Sequence, residues 1–314
     1  MRKYVAKRIL MSLLTLLLIT FVLFVLIRIV PGNPFPVERM SADMILQKRA
    51  ELGLDKPILE QFVNYMSMLL SGSFGNGTSL YNGAPIKPIM LKCLETSFRI
   101  GVVSILFGTL VGLTIGITAA LNRGKFLDGF CTVVSILGVC IPSYVFMIFL
   151  QYFFSYKIPL FPYFFDPSKF LYSSIMPSLS LSLFSISAVA RFARNGMIEV
   201  MNSDYVKLAE AKGLYGFELL RRHVLRNALI PVVTVIAPLV VDLLTGAMVI
   251  EKIYGINGVG SLMVSAIAGE GVDYNYVLAL GIVFSALYIG VMLVLDILYG
   301  IIDPRISLTT KEAG

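Results

Sequence analysis

The side chains of this chain that could do chemistry are few, and most of them lie in apolar surroundings. The single histidine, His223, argues against a histidine-based metal site, and three cysteines cannot form a complete set of disulfides. Cys131 and Cys140 lie inside apolar runs, where packing is their expected role. Asp242 and Asp296 also lie inside apolar runs, and a carboxylate there must face a partner or a polar cavity. We expect Asp296 to pair with a basic residue, whereas for Asp242 a translocation pathway and a buried hydrogen bond are equally open.

The composition explains these apolar surroundings. Of the 314 residues, 57% are hydrophobic and only 14% are charged, whereas a soluble domain has about 25% charged residues. This balance excludes a soluble enzyme, a disordered chain and a nucleic-acid-binding module. A helix needs about 20 apolar residues to cross a bilayer. Six runs reach that length: Ile9–Val30, Ser97–Leu121, Phe130–Phe154, Leu171–Val189, Leu229–Ile250 and Val277–Ile302.

The Lys and Arg residues are distributed unevenly between the segments that connect these runs. They concentrate before the first run, after the second, after the fourth and in the tail. All of these segments lie on one side of a membrane that is crossed six times. Because short cytoplasmic loops are enriched in Lys and Arg, both termini are predicted to be cytoplasmic. The formal net charge of +7 is therefore a topological signal.

This topology divides the chain into an N-terminal helix, an outer loop, a core and a tail. The parts are residues 1–30, the extracytoplasmic helical loop 31–96, the five-helix core 97–302 with a cytoplasmic loop at 191–228, and the cytoplasmic tail 303–314. In the outer loop, Ser41 can cap a short helix that stops at Gly53. A second helix there places Phe62 and Tyr65 on one apolar face, and we expect a small helical cap.

Two spans carry residues with consequences for packing. In the second span, Gly108, Gly112 and Gly116 recur every four residues, so one helix face lets a neighbour approach closely. This pattern predicts tight packing within the subunit or against a partner. Pro142 interrupts the third span, and the carbonyl it frees is tolerated where protein or a water-filled cavity covers it.

The segment Arg191–Arg226 is too long for a simple turn and too hydrophilic to stay in the membrane. Asp204 can cap a helix that runs from Tyr205 to Lys212, and Gly213 would stop it. A basic helical piece follows. This arrangement is suited to docking a cytoplasmic partner, and it is equally suited to fixing topology or contacting anionic lipid.

The motif Tyr205-Val-Lys-Leu-Ala-Glu-Ala-Lys-Gly213 resembles the cytoplasmic "EAA" loop of ABC importer permeases, and most of all the peptide-permease branch. In the general motif an acidic residue stands six positions before the glycine, where this chain has Lys207, and Glu210 is the acid instead. Further stretches share the resemblance, which covers nearly the whole chain: Val30–Phe35, Gly196–Val200, Gly246–Gly255 and Ile302–Arg305. The chain is most similar to the B-type membrane subunit of oligopeptide importers.

The resemblance implies an all-α polytopic membrane protein with the type I ABC importer fold. It also implies alternating access, in the cytoplasmic membrane of a prokaryote. The partners would be a second related permease, two ATPase subunits that hold ATP and Mg²⁺, and an extracytoplasmic peptide-binding protein. Membrane lipid surrounds the chain, which would bind no cofactor and no nucleic acid itself. The substrate would be oligopeptides, with dipeptides or nickel and metal chelates as the alternative within the family.

The resemblance also assigns roles to residues. Coupling to an ATPase falls on one continuous stretch of the loop: Tyr205, Lys207, Leu208, Ala209, Glu210, Ala211, Lys212, Gly213, Leu214 and Tyr215. The expected translocation pathway comprises Pro142, Asp242, Thr245 and Met248. The expected external gate comprises Tyr254, Gly255, Gly258 and Gly260.

The source of energy separates the remaining alternatives. The sequence has no Gly-x-x-x-x-Gly-Lys-Ser/Thr phosphate loop, so the chain is not itself an ATPase. An ion-coupled secondary transporter is the main rival, but such proteins show internal repeats and paired broken helices, and no clear repeat is visible here. A channel would need a filter-like re-entrant loop, which the glycine-rich segment 251–274 could mimic.

Overall fold

The computed structural model describes residues 2–29, 34, 41–244, 248–268 and 271–302. These residues are almost entirely helical, and the only strand-like pairing among them is one antiparallel bridge between Asn76 and Pro85. The α-helices are α1 Arg2–Ile29, α2 Ala42–Glu51, α3 Ile58–Leu70, α4 Ile86–Leu121, α5 Phe126–Cys140, α6 Ser143–Gln151, α7 Phe170–Met201, α8 Asp204–Ala211, α9 Gly216–Leu219, α10 Leu225–Ala228, α11 Ile230–Leu244, α12 Met248–Tyr254, α13 Val259–Ile267 and α14 Tyr274–Ile302. Two π-helical turns, Tyr152–Lys157 and Leu220–Val224, and one 3-10 turn, Pro167–Lys169, complete them.

In the described part of the chain, four helices are long and apolar enough to cross a membrane. They are Val5–Ile29, Ile86–Leu121, Pro167–Met201 and Tyr274–Ile297. Two bent pairs also qualify: Phe126–Cys140 with Ser143–Lys157, and Gly216–Ala228 with Ile230–Val240. Counting each bent pair as one span gives six, but the second pair begins within the basic loop, before the expected fifth span at Leu229. The third span in particular is not straight, because its two halves meet at 101° where Pro142 begins the second half.

The chain forms two compact units. One consists of Met1–Glu95 together with Asn257–Gly314, and the other of Thr96–Ile256. In the first unit, α1 packs along α14, and Phe24 of α1 joins Tyr65 of α3 and Leu278 of α14 in one buried cluster. The two helices expected in the outer loop are present there as α2 and α3. Ser41 caps α2 by accepting a hydrogen bond from the Met44 N–H, and the backbone turns with a positive φ at Gly53.

A fully buried carboxylate ties the loop before α4 to the start of α14 in the first unit. One oxygen of Asp273 accepts hydrogen bonds from the backbone N–H groups of Thr78, Ser79 and Leu80 at 2.7–3.0 Å. The other oxygen accepts from the Tyr276 N–H at 3.1 Å, as an N-cap does. Asp273 is 0% exposed. Four charge-assisted hydrogen bonds therefore replace its lost hydration and fix the loop on the helix.

The expected ion pair of Asp296 is also present. An Arg8 guanidinium nitrogen lies 2.9 Å from the Asp296 carboxylate, which joins α1 to α14. The acid in the last span therefore has the basic partner that its position in the sequence requires.

In the second unit, α7 is the central helix and contacts α5, α6 and α11. The glycine face of α4 lies directly against α7. A Cβ atom built on Gly112 would stand 2.7 Å from the Ile186 carbonyl oxygen, and one on Gly116 would stand 2.4 Å from that of Ala190. The predicted tight packing is thus confirmed, within the subunit.

Small polar side chains are frequent on the buried surface of α7, and among them Ser185 faces Gly108 of α4 and Ser187 faces Gly138 of α5. Seven of its serines are buried: Ser173, Ser174, Ser178, Ser180, Ser182, Ser185 and Ser187. Their hydroxyls mostly donate to carbonyls of the preceding helical turn, as Ser180 does to Met176 at 2.8 Å. This back-bonding satisfies the hydroxyls without a partner helix, so the helices can pack at the distance that glycine permits.

We expect Gly112→Ala to lower the free energy of unfolding of the full chain in detergent by about 1–3 kcal/mol, because a backbone carbonyl and the branched side chain of Val189 must move. Gly129→Ala is the matched control, since Gly129 is also helical and a Cβ there meets nothing within 4 Å. Thermal unfolding of the two variants measures the difference. Equal stability of both would contradict the close contact.

Candidate functional site

The loop between α7 and α11 folds into a short helix with defined ends. α7 ends at Met201, and Ser203 occupies the N-cap position of α8 with extended backbone angles. The helix therefore begins one residue earlier than expected, and Asp204 lies in its first turn, where the helix dipole favours a carboxylate. The Ser203 hydroxyl donates to the Val200 carbonyl at 2.6 Å, which closes the turn between the two helices.

Gly213 ends this helix, as the sequence predicted. Its φ is +87°, and its N–H donates to the Glu210 carbonyl at 2.9 Å. The N–H of Leu214 donates to the Ala209 carbonyl at 3.2 Å. These two bonds form a Schellman motif, which glycine favours because the left-handed backbone carries no Cβ penalty. The end of the helix is thereby fixed by the backbone itself.

One face of α8 is anchored in an apolar cluster that we call the coupling core. Val206 and Ala209 are 1% and 6% exposed. The coupling core brings α8 together with α4, α7, α9, α10 and the π-helical turn, and its buried members are Ala120, Met197, Val206, Ala209, Leu219, Val224 and Ala228. Gly196 of α7 is part of this contact, because a Cβ there would stand 2.5 Å from the Ala228 carbonyl oxygen.

The opposite side of the loop exposes large apolar side chains that we call the docking patch. Its members are Tyr205, Leu208, Tyr215 and Phe217, which are 43%, 58%, 69% and 73% exposed. Lys207, Glu210, Ala211 and Lys212 are exposed beside them. Large apolar groups exposed among charged neighbours are typical of a protein interface. The coupling residues from the sequence thus divide into an anchored and an exposed set.

A hydrogen bond holds the exposed ring of Tyr205. The Asn227 side-chain amide donates to the Tyr205 hydroxyl at 2.9 Å, which joins α10 to α8. Arg222 and Glu218, both more than half exposed, form an ion pair at 3.1 Å on the same basic segment. The docking patch is therefore displayed on a structured surface rather than on a loose loop.

A bidentate ion pair connects α7 to the first turn of α5. Arg194 donates to both oxygens of Asp128 at 2.6 and 2.9 Å, and the Gly124 N–H donates to one of them at 3.0 Å. The side chain of Asp128 is 8% exposed. In the sequence, Arg194 is only one of the basic residues that follow the fourth apolar run. The pair lies one helical turn from Met197 of the coupling core and braces the same helix.

Glu251 is a further buried carboxylate whose burial the sequence did not predict. It is 3% exposed, and the Ser97 hydroxyl donates to it at 2.6 Å. Its position in a segment rich in glycine and apolar residues is the sequence signal that could have drawn attention to it, because an acid in such surroundings requires a partner.

The residues expected to line a pathway are only partly described. Pro142 precedes α6, and its carbonyl accepts hydrogen bonds from Val145 and Phe146 at the sharp bend. Met248 begins α12 and is 40% exposed. The side chain of Asp242 and the whole of Thr245 lie outside the described residues. Their shared role in a pathway stays a prediction.

The four residues expected at an external gate are divided between the two units. Tyr254 is 1% exposed in a cluster with Met147 and Ile250, and Gly255 turns the chain with φ +67°. Gly258 is the N-cap residue of α13, which contains the buried Gly260. These are structural positions, and gating by them stays a prediction.

Two family models of known proteins together match nearly the whole chain. Residues 112–308 match the family model described as binding-protein-dependent transport system inner membrane component, and residues 1–103 match the model of the N-terminal part of such components.

Individual relatives span the whole length. The chain is 35% identical to the dipeptide transport system permease protein DppB of Lactococcus lactis, over 98% of this chain and 100% of that protein. It is 34% identical to the oligopeptide transport system permease protein OppB of Haemophilus influenzae, over 98% and 99%. Among solved structures, it is similar to the inward-facing MetNI methionine ABC transporter, with a TM-score of 0.56 at 15% identity, over 68% of this chain and 96% of that one. That likeness shows the type I importer fold.

We expect a double-mutant cycle on Asp128→Asn and Arg194→Met to give a coupling energy of about 1–3 kcal/mol. The reason is that the ion pair is bidentate and the Asp128 carboxylate is buried. The matched control is the pair Glu218 and Arg222, which is exposed and should couple by less than about 0.5 kcal/mol. Denaturant unfolding in detergent measures both. A coupling energy for the first pair no larger than for the second would contradict the bracing role.

Proposed function

The chain belongs to the family of binding-protein-dependent transport system inner membrane components, and we propose that it is the transmembrane subunit of an ATP-driven importer of oligopeptides. The single observation that carries this proposal is full-length similarity to peptide permeases at 33–35% identity. Dipeptides are the second candidate substrate, because relatives of both kinds match the whole chain equally well.

We propose that the complete importer contains a second permease related to this chain, two ATPase subunits and an external peptide-binding protein. ATP and Mg²⁺ would bind on the ATPase subunits, since the chain has no phosphate loop. The distribution of Lys and Arg supports an orientation with both termini, α8 and α9 on the cytoplasmic side of the cell membrane. The helical cap of α2 and α3 would then face outward, toward the binding protein.

The division of α8 into an anchored and an exposed face supports a mechanism of coupling. The docking patch would insert into a groove on an ATPase subunit, where its four large apolar side chains lose contact with water. Val206 and Ala209 would pass the displacement of α8 to the coupling core, which contains residues of α4, α7 and α10. Closure of the ATPases on ATP would thus move the spanning helices and expose the pathway alternately to each side.

A proposed pathway near Pro142, Asp242, Thr245 and Met248 agrees with this mechanism. The bend of 101° before Pro142 brings an irregular backbone into the membrane-spanning part, and such backbone is stable only where protein or water covers it. Tyr254, Gly255, Gly258 and Gly260 would form the external gate. Gly255 supports this assignment with a positive φ, because the turn there joins α12 to the chain before α13.

Reconstitution in vesicles tests the proposed function. The chain with its second permease, ATPases and binding protein should take up labelled tri- to pentapeptides only when ATP is present on the ATPase side. A dipeptide in the same assay distinguishes the second candidate. Uptake that follows a proton or sodium gradient without ATP would instead identify a secondary transporter.

We expect Leu208→Asp to reduce ATPase co-purification and peptide uptake by about tenfold or more, because it places a charge in the buried centre of the docked interface. The fold should survive, since Leu208 is 58% exposed. Leu46→Asp is the matched control, with a leucine 66% exposed on α2, and it should leave ATPase co-purification unchanged. Normal recovery of ATPase with Leu208→Asp would exclude this surface as the docking site.

A further inference from the structure

The first unit contains a cavity of about 170 Å³ whose function nothing above assigns. It lies among α1, α3, the loop before α4 and the start of α14. Six polar residues line it: Arg28, Asn64, Tyr65, Thr78, Tyr274 and Asn275. The described residues that line it include no acid.

Three buried polar atoms at this cavity have no hydrogen-bond partner in the described protein. They are Arg28 Nε, the Tyr65 hydroxyl and Thr78 Oγ1. Tyr65 and Thr78 are each 6% exposed, so solvent does not satisfy them freely. Buried polar atoms without a partner are rare and costly in native proteins. Three of them around one cavity indicate that an occupant with acceptor atoms belongs there.

The charge of the cavity indicates the sign of that occupant. The Arg28 guanidinium stacks over the rings of Phe24 and Tyr274, at 4.8 and 5.3 Å from their centroids. No described carboxylate forms an ion pair with it. Burial raises the pKa of Tyr65, so its hydroxyl stays protonated and is available as a donor. Water could accept these hydrogen bonds, but an anion would also supply the negative charge that no described residue lining the cavity provides.

The apolar part of the wall restricts the occupant further. Leu54 and Met68 line the same cavity, and its volume is close to the roughly 150 Å³ that accommodates a benzene molecule. A carboxylate with one small apolar side chain therefore fits. Leu52, Met68, Thr78 and Asn275 also line a second cavity of about 470 Å³, which leaves room for the remainder of a longer ligand.

We propose that this cavity binds the C-terminal carboxylate of a peptide, with Arg28, Tyr65 and Thr78 as the groups that contact the carboxylate. The choice of a peptide rests on the proposed function, whereas the choice of a carboxylate rests on the unpartnered donors. The site would hold a peptide on the outer face of the subunit, in addition to any contact in the translocation pathway.

The test uses the assembled transporter in nanodiscs, without binding protein or nucleotide. The probes are trialanine, trialanine amide and inorganic phosphate, and the readout is ligand-dependent thermal stabilisation. We expect trialanine to stabilise the complex and its amide to bind about tenfold more weakly or worse, because the amide lacks the charge.

Variants separate this site from others that bind peptide. Tyr65→Phe and Thr78→Val should each weaken trialanine binding about tenfold, and Arg28→Met should abolish the carboxylate preference. Because the two hydroxyls have no internal partner, their removal should not lower the stability of the empty protein. Tyr276→Phe is the matched control, since its hydroxyl is also buried and unpartnered but does not line the cavity.

Three results would overturn the proposal: equal binding of acid and amide, unchanged affinity in the cavity variants, or binding of phosphate without binding of trialanine. The last would identify a phosphate site instead.

ATP-driven uptake is measured on the same preparation. Intact uptake with no effect of the cavity variants refutes the cavity site alone, whereas carboxylate binding without uptake refutes the proposed function alone.

Discussion

The structure depends first on one constraint, which is that lipid offers no hydrogen bonds to the backbone. Every spanning segment must satisfy its own N–H and C=O groups, so the long apolar runs become helices. Because lipid gives helices no hydrophobic reason to associate, close packing must hold them together. The glycine face of α4 and the buried serines of α7 meet this need. Their small side chains allow contact at backbone distance while the hydroxyls bond within their own helix.

The same constraint explains where the irregular structure lies. The sharp bend at Pro142 and the turn at Gly255 are both exposed on this chain, so another chain or water must cover the bend within a membrane. The loop that contains α8 is proposed to lie in water. In water the hydrophobic effect would favour the coupling core, which is built from side chains of several helices. Close contacts at glycines thus pack the spanning helices, whereas apolar side chains pack the proposed coupling core, and α7 takes part in both.

Features that arise from local pattern could be predicted from the sequence. The spacing of Gly108, Gly112 and Gly116 predicted a close contact, and the glycine after α8 predicted the end of that helix. The partner of Asp296 could be expected because a spanning acid needs a base. The sharp bend of the third span was underestimated, since hydropathy reports length and not direction.

Features that arise from contacts distant in sequence could not be predicted. Asp273 binds backbone groups that lie 193–195 residues away, and Asp128 pairs with an arginine 66 residues away. No local periodicity specifies such partners. The cavity beside Arg28 has the same origin, because its lining residues come from segments that meet only after folding. For the two carboxylates and for the cavity, the burial of polar groups indicates the role of these residues, and that burial is visible only in three dimensions.

We propose that α8 is held firmly enough on α7 and α10 to move with them as one body. Spin labels at Glu210→Cys and Arg226→Cys, with Cys93, Cys131 and Cys140 replaced by serine, measure the distance between α8 and α10 in the assembled transporter. We expect the same distance distribution in the nucleotide-free and the ATP-bound states. A shift of about one helical turn, roughly 5 Å, would show that α8 slides on its support and would contradict the claim.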